Sequence, residues 1–556
     1  MRNNRFETIL RTKLPLALAT LLILIFTSLL LYFSLNRNDK RLIYAIDDPY
    51  IHMAIGKNLI HHAVWGVTPY EFSSSSSSPL WTFLIAFFFL FIGIKESIPF
   101  LLNLFAAVSL LYIVDHYLIK LGMSPPFRTG ILSGMILLAP LPPLIFTGME
   151  PILQMVLVIP FIFLSSEILS KEHKPVVSRV NFILFSLSAL LSMVRFESLF
   201  LIFIAVVLFY LRGRKKYAAV LLLSGLGPAL VYGIISVVNG WYILPNPVLL
   251  KANIRGLEGW GGFLNLLGWA GLKQMWYTPH LFFLWATGLF IYISNLKKGF
   301  WEKSRLSFFL WMCTVALHMQ FARTGWFFRY ESYLVVSGLL ILIPSLRDIF
   351  GPACWKESPR LGKIMLNFLI AITLILSMAF LGMRSFDAFR WTPLATSNIY
   401  QQQYQMGQFL KEFYDGKPVA ANDIGAICFL SDVNCLDLWG AANMEVARLK
   451  KDNRLDLAQI RRITMEREVQ IAVIYDDWFM KDGERKIPLE WLKVGVWTIK
   501  NNIVCGGDSV SFYAVDSTSA SSLIQNLQRY SPRLPAGVIQ DGTYLDMISI
   551  WSPRNP

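Results

Sequence analysis

The feature that most limits what this chain can become is the run from Leu14 to Phe33, about 20 residues without one charged side chain. That length matches the hydrocarbon thickness of a bilayer, where a backbone must satisfy its own N–H and C=O groups and therefore coils into a helix. The run exceeds the apolar core of a secretory signal, and no small-residue cleavage site follows, so it reads as a first span. Further apolar runs lie at 98–119, 128–147, 151–169, 180–211, 217–238, 280–296, 306–321, 332–347 and 364–383. With 55% hydrophobic residues in 556, the class is a polytopic α-helical membrane protein. The run 79–93 is too short to cross and reads as a re-entrant or interfacial helix.

The formal net charge of +15 lies mostly in short loops between apolar runs, where it records orientation rather than affinity for nucleic acid, which is excluded as a partner. Arg2, Arg5, Arg11 and Lys13 place the N-terminus in the cytoplasm. Basic clusters flank both ends of 180–211, so this stretch reads as two crossings with a turn at Val194-Arg195-Phe196-Glu197. The expected architecture is eleven spans within residues 1–383, a first external loop at 36–97, and an extracytoplasmic α/β domain at 384–556 in which short β-rich runs (PVAAND, AICFL, QIAVIYDD, VSFYAVD) alternate with helical patterns.

This topology, drawn from Lys and Arg alone, gathers the unusual polar residues on one side. Asp47, Asp48, Glu150, Arg195, Glu197, Asn246, Lys251, Arg323, Arg329 and Glu331 all fall at external turns too short to be solvated loops. Charges near membrane depth cost about 2.5–3.5 kcal/mol each and are paired or functional, so a single external polar cavity is expected. Asp47 and Asp48 begin the first loop, and Asp-Pro opens a helix at 49–62 with Ile51, Ile55 and Leu59 on one face and His52, Lys57 and His61 off it, suited to lying in the interface. His52, His61 and His62 read as surface histidines rather than metal ligands, and Ser73 to Ser78 as a flexible loop. Cys428 and Cys435 flank an expected hairpin turn, FLSDVN, where a disulfide is an open alternative; Asp476-Asp477 reads as a strand-end turn.

The order of these elements resembles the membrane-embedded glycosyltransferases of the GT-C fold, in particular the subgroup of the mycobacterial terminal arabinofuranosyltransferase. The resemblance rests on Asp47-Asp48-Pro49-Tyr50, Ser78-Pro79-Leu80-Trp81-Thr82, Gly148-Met149-Glu150-Pro151, Arg195-Phe196-Glu197, and Leu244-Pro245-Asn246 with Lys251. In the C-terminal part, Asp423-Ile424-Gly425-Ala426 and Asp437-Leu438-Trp439-Gly440 carry it. It departs where a Gly-Gly-Asp turn is expected and Arg323-Thr324-Gly325-Trp326 stands instead, and where Glu71-Phe72 and the serines replace a Val-Glu-Gly-Tyr element.

The resemblance implies transfer of a sugar, arabinofuranose or another, from a polyprenyl phosphate to a glycan or lipid acceptor at the outer face of a bacterial inner membrane, with inversion. Asp47 or Asp48 is then the general base. Tyr50, His52, Glu150, Arg195, Glu197, Asn246, Lys251, Arg323, Arg329 and Glu331 are the expected substrate-binding set. No metal site is expected, although a carboxylate pair leaves a divalent cation open. The alternatives are transfer of a hexose or aminosugar to protein or lipid, and a transporter or flippase of lipid-linked sugars.

Overall fold

Proline sets where many of these helices begin. It stands in the first turn of Asp48–His62, Pro79–Ile92, Ile98–Lys120, Pro125–Leu138, Pro151–Ser170 and Pro279–Ser294, where its missing N–H would have no helical partner and its φ is already helical. The computed structural model describes residues 2–172, 179–251, 268, 270–297, 299–350, 361–481 and 484–546. Lys13–Arg37, Ile98–Lys120, Pro151–Ser170, Lys215–Val238, Ser332–Phe350 and Leu361–Phe413 are long and apolar enough to cross a membrane. Shorter apolar helices, Pro79–Ile92, Arg179–Val194, Ser198–Leu211 and Pro279–Ser294, pack among them. The protein is a multi-pass α-helical membrane protein with a C-terminal α/β domain.

The expected run 128–147 is broken: Pro125–Leu138 ends before Pro140, and a short helix, Leu141–Ile145, follows because Pro140, Pro142 and Pro143 cannot continue the ladder. The last span shows a larger difference. Helix Leu361–Ile399 does not stop near 383; it runs through a π-turn, Tyr400–Tyr404, into Gln405–Phe413. At about 1.5 Å per residue, its 53 residues extend roughly 80 Å from the bundle into the C-terminal domain.

Eight strands follow among the described residues: β1 (Pro418–Ala421), β2 (Asn434–Asp437), β3 (Ile471–Ile474), β4 (Met480–Lys481), β5 (Glu484–Arg485), β6 (Leu492–Thr498), β7 (Ser509–Ala514) and β8 (Ile539–Asp541). Six form one sheet in the order β2-β1-β3-β7-β6-β8, and β4 and β5 form a separate ribbon. The β1 to β3 side is parallel and the β7, β6, β8 side antiparallel. Phe409 of the long helix sits in this domain's core against Trp497, Phe512 and Tyr530, at ring-centroid distances of 5.8, 5.5 and 5.6 Å.

AICFL, expected as a strand, is the core of helix Gly425–Leu430. Cys428 therefore lies on a helix and Cys435 on β2, which pairs parallel with β1, so no hairpin links them. Both are free, buried thiols. Asp476 and Asp477 open a 3-10 turn after β3, where Asp476 accepts from Lys493, Ser511 and Tyr513.

Candidate active site

Helix Asp48–His62, expected to suit a membrane interface, buries Tyr50, Met53, Ala54 and Asn58. It is packed between Pro79–Ile92 and Gly425–Leu430, so His52 is buried and Lys57 reaches the C-terminal domain. Lys57 donates to the carbonyls of Cys428 and Phe429 at 3.2 and 2.9 Å and pairs with Asp432 at 2.8 Å. Asp47, just before this helix, meets the start of the short C-terminal-domain helix: its two oxygens accept the N–H groups of Gly425 and Ala426 at 2.7 and 2.8 Å. A side chain at Gly425 would collide with the Asp47 carboxylate and backbone, so this junction requires glycine.

The two adjacent carboxylates have different surroundings. Asp47 is hydrogen-bonded to Asp423 of the C-terminal domain, and burial together with the Asp423 charge holds it well above the usual carboxylate range, against the pull of the two backbone N–H groups. Burial raises Asp423 as well, while Gln403 Nε2 at 2.8 Å counters part of that rise. Burial and the facing carboxylate thus both favour the protonated forms at this junction. Asp48 instead pairs with Arg329, whose guanidinium is 1% exposed. Arg329 Nη2 also reaches Tyr330 Oη at 3.2 Å, whereas its Nε and Nη1 find no hydrogen-bond partner among the described residues.

Arg329 stands in a tight, left-handed segment: Gly325, Trp326, Phe327 and Phe328 have φ of 80°, 40°, 53° and 64°. Three bulky residues in that region are disfavoured and persist only where their surroundings dictate it. Glu331 supplies much of that constraint by accepting Gly325 N–H at 2.7 Å and Arg384 at 2.9 Å, while Arg384 also holds the Phe328 carbonyl at 2.5 Å.

Between the bundle and the C-terminal domain lies a cavity of about 360 Å³. The bundle side contributes Asp47, Asp48, His52, Arg323, Trp326 and Tyr330. The opposite wall includes Asn422, Asp423, Trp439, Trp478 and Gly506. The serines close the seam between them and are not a flexible loop. Ser73, Ser74, Ser75, Ser76 and Ser78 are buried, with Ser74 bonded to Ser236 at 2.8 Å, Ser76 to Thr82 at 2.9 Å and Ser75 to the Ala441 carbonyl at 2.9 Å.

Of the expected site residues, Asp47, Asp48, His52 and Arg323 line the cavity, and Arg329 stands directly behind Asp48 and Tyr330. His52 is engaged with Thr82, its Nδ1 2.6 Å from Oγ1. Buried Glu150 and Arg195 and half-buried Glu197 form an ion network beside Tyr330, with Arg195 bridging the two acids at 2.6 and 2.7 Å and stacking on the Tyr330 ring at 5.0 Å. Tyr50 is packed in the core against Tyr44, Glu331 braces the left-handed turn, and Asn246 holds the Gly440 carbonyl at 2.9 Å. The Lys251 side chain lies outside the described residues. Absent from the expected set were Asn422, Asp423, Tyr330, Trp439, Trp478 and Arg384; of these, Asn422 stands in the run PVAAND, and Asp423 and Trp439 stand in the motifs that carry the resemblance. Among the described residues no group of three His, Cys, Asp or Glu is arranged to hold a metal ion.

A family model described as "Domain of unknown function (DUF8728)" matches residues 397–513, from the end of helix Leu361–Ile399 into β7. A search of curated proteins returns no match. Among solved structures, the chain is similar to ArnT from Cupriavidus metallidurans bound to undecaprenyl phosphate, at 12% identity and a TM-score of 0.47, over 90% of this chain and 99% of that one. The same protein in the apo state gives 12% identity and a TM-score of 0.44 over the same shares.

Proposed function

We propose that the protein is a GT-C-type glycosyltransferase that moves a sugar from a polyprenyl-phosphate donor to a glycan or lipid acceptor within this cavity. The observation that carries the proposal is the Asp48–Arg329 pair: a carboxylate on the cavity wall beside a buried guanidinium that has N–H groups to spare. Arg329 holds that carboxylate from behind the wall, and Arg323, which lines the cavity on the same side, is the cation that suits a phosphate leaving group, since a planar fork of donors binds phosphate oxygens strongly.

In this reading Asp48 is the base and Asp47 the positioning residue, because both oxygens of Asp47 are held by Gly425 and Ala426. The acceptor hydroxyl gives its proton to Asp48 as its oxygen forms a bond to the anomeric carbon. The bond from that carbon to the phosphate oxygen breaks, and the lipid phosphate takes the electron pair towards Arg323, while Arg329 orients the Asp48 carboxylate from behind. One displacement of this kind inverts the anomeric centre. The sugar, arabinofuranose or a hexose or aminosugar, is the choice that an assay must make. Purified protein in detergent, offered a panel of polyprenyl-phosphate sugars and a glycan acceptor, is expected to consume one donor and glycosylate the acceptor. Failure to consume any donor, with the protein folded, would favour the flippase reading.

A further inference from the structure

Asn422 follows β1 and lines the cavity while only 4% exposed. Its Oδ1 accepts the Tyr475 N–H at 3.2 Å, which fixes the amide's orientation, and its Nδ2 has no hydrogen-bond partner among the described residues. A buried amide donor costs stability unless something in the cavity accepts from it.

Two indoles stand on the same wall, Trp439 and Trp478, with ring centroids 4.5 Å apart at 56°. Trp478 is fixed by its Nε1, which donates to the Gly506 carbonyl at 2.9 Å. The Trp439 loop is held from both parts of the molecule. The Asp437 carboxylate accepts the N–H groups of Trp439 and Ala442, each at 2.7 Å. Asn246 holds the Gly440 carbonyl and Ser75 the Ala441 carbonyl, each at 2.9 Å. Lys450 covers one face of the Trp439 ring at 3.3 Å, and the indole remains 37% exposed.

A sugar presents hydroxyl oxygens and an apolar C–H surface together, and an oriented donor amide beside fixed indole rings is complementary to both. Resting on the transfer reading above, we infer that Asn422, Trp439 and Trp478 form the subsite for the acceptor sugar. The argument for acceptor over donor is position. Arg323, the cavity cation suited to a lipid phosphate, stands on the bundle side, from which a bilayer-borne donor arrives, and Asn422 and the indoles stand across the cavity on the C-terminal domain. Asn246 and Ser75 then act as positioning residues for the Trp439 loop.

The test compares the full chain in detergent with Asn422→Ala and Trp478→Phe. The probes are methyl glycosides of glucose, galactose, mannose and arabinofuranose. Saturation-transfer NMR without donor reads binding, and steady-state kinetics read the KM of glycoside and donor separately. At least one glycoside is expected to bind wild type, and Asn422→Ala to weaken it and raise its KM by roughly tenfold, the worth of one hydrogen bond. Donor KM and the rate at saturating acceptor should stay within about twofold. A rise in donor KM with acceptor KM unchanged would overturn the assignment, as would an absence of binding by every glycoside. If wild type consumes no donor, the transfer reading fails while the NMR arm still decides whether the wall binds sugar. Should Asn422→Ala not fold, Trp478→Phe decides by the same readouts.

Discussion

Asp47 and Asp48 are neighbours in sequence whose side chains reach different partners, and the consequences can be measured. Because Asp47 and Asp423 both have raised folded-state affinities for a proton, the native state binds more protons than the unfolded chain between the ordinary carboxylate value and the raised one. Stability is therefore highest on the acid side of that window and falls as pH rises through it, as two anions come to face each other. In Asp423→Asn the amide donates to an ionised Asp47, so the decline should flatten; melting temperature against pH for both proteins checks this, and parallel curves would count against the coupling of the two carboxylates. The sequence exposed the acidic pair but not its division of labour, because the groups that engage Asp47 lie 378 and 379 residues away. The serines were misread for the same reason: the partners of Ser74 and Ser75 are Ser236 and Ala441, and a hydroxyl run with no visible partner looks like a linker.

Among the elements, the turn at Arg195-Phe196-Glu197 was legible because basic clusters flank the apolar stretch at both ends, and the chain does turn there between Arg179–Val194 and Ser198–Leu211. Helix Gly425–Leu430 was not, since a five-residue apolar run such as AICFL fits a buried strand and a buried helix equally well. That helix makes the junction on which the cavity depends. Gly425→Ala is expected to destabilise it by about 1–3 kcal/mol, as overpacking does, because the new methyl must displace the Asp47 carboxylate and backbone. Denaturant melts and limited proteolysis between the two parts would report it, and an unchanged midpoint would count against the packing described. The left-handed segment after Gly325 went unread because nothing in Trp326-Phe327-Phe328 advertises positive φ; Glu331 and Arg384 impose it from outside.

For the whole molecule, the sequence conveyed a helical membrane part followed by an α/β domain but placed too sharp a boundary between them. Leu361–Phe413 is continuous, and its end is built into the C-terminal core through Phe409. The helix continues past the expected end of the last span because residues 384–413 supply both a face against the bundle, through Arg384 and Glu331, and a face for the sheet. The positive charges predict that the C-terminal domain is outside. A cysteine introduced at Leu489, which is 77% exposed, should react with a membrane-impermeant maleimide in intact spheroplasts above the background of the native thiols. Labelling only after lysis would reverse the topology and with it the outer-face site.

The most direct test of the central claim, that Asp48 beside Arg329 carries out sugar transfer at the junction, is the kcat of Asp48→Asn with the donor that wild type uses. The amide oxygen still accepts from Arg329, so folding should be kept while kcat falls by roughly 10²–10⁴-fold, the worth of a positioned base. An Asp48→Asn protein that turns over within about threefold of wild type would contradict the account.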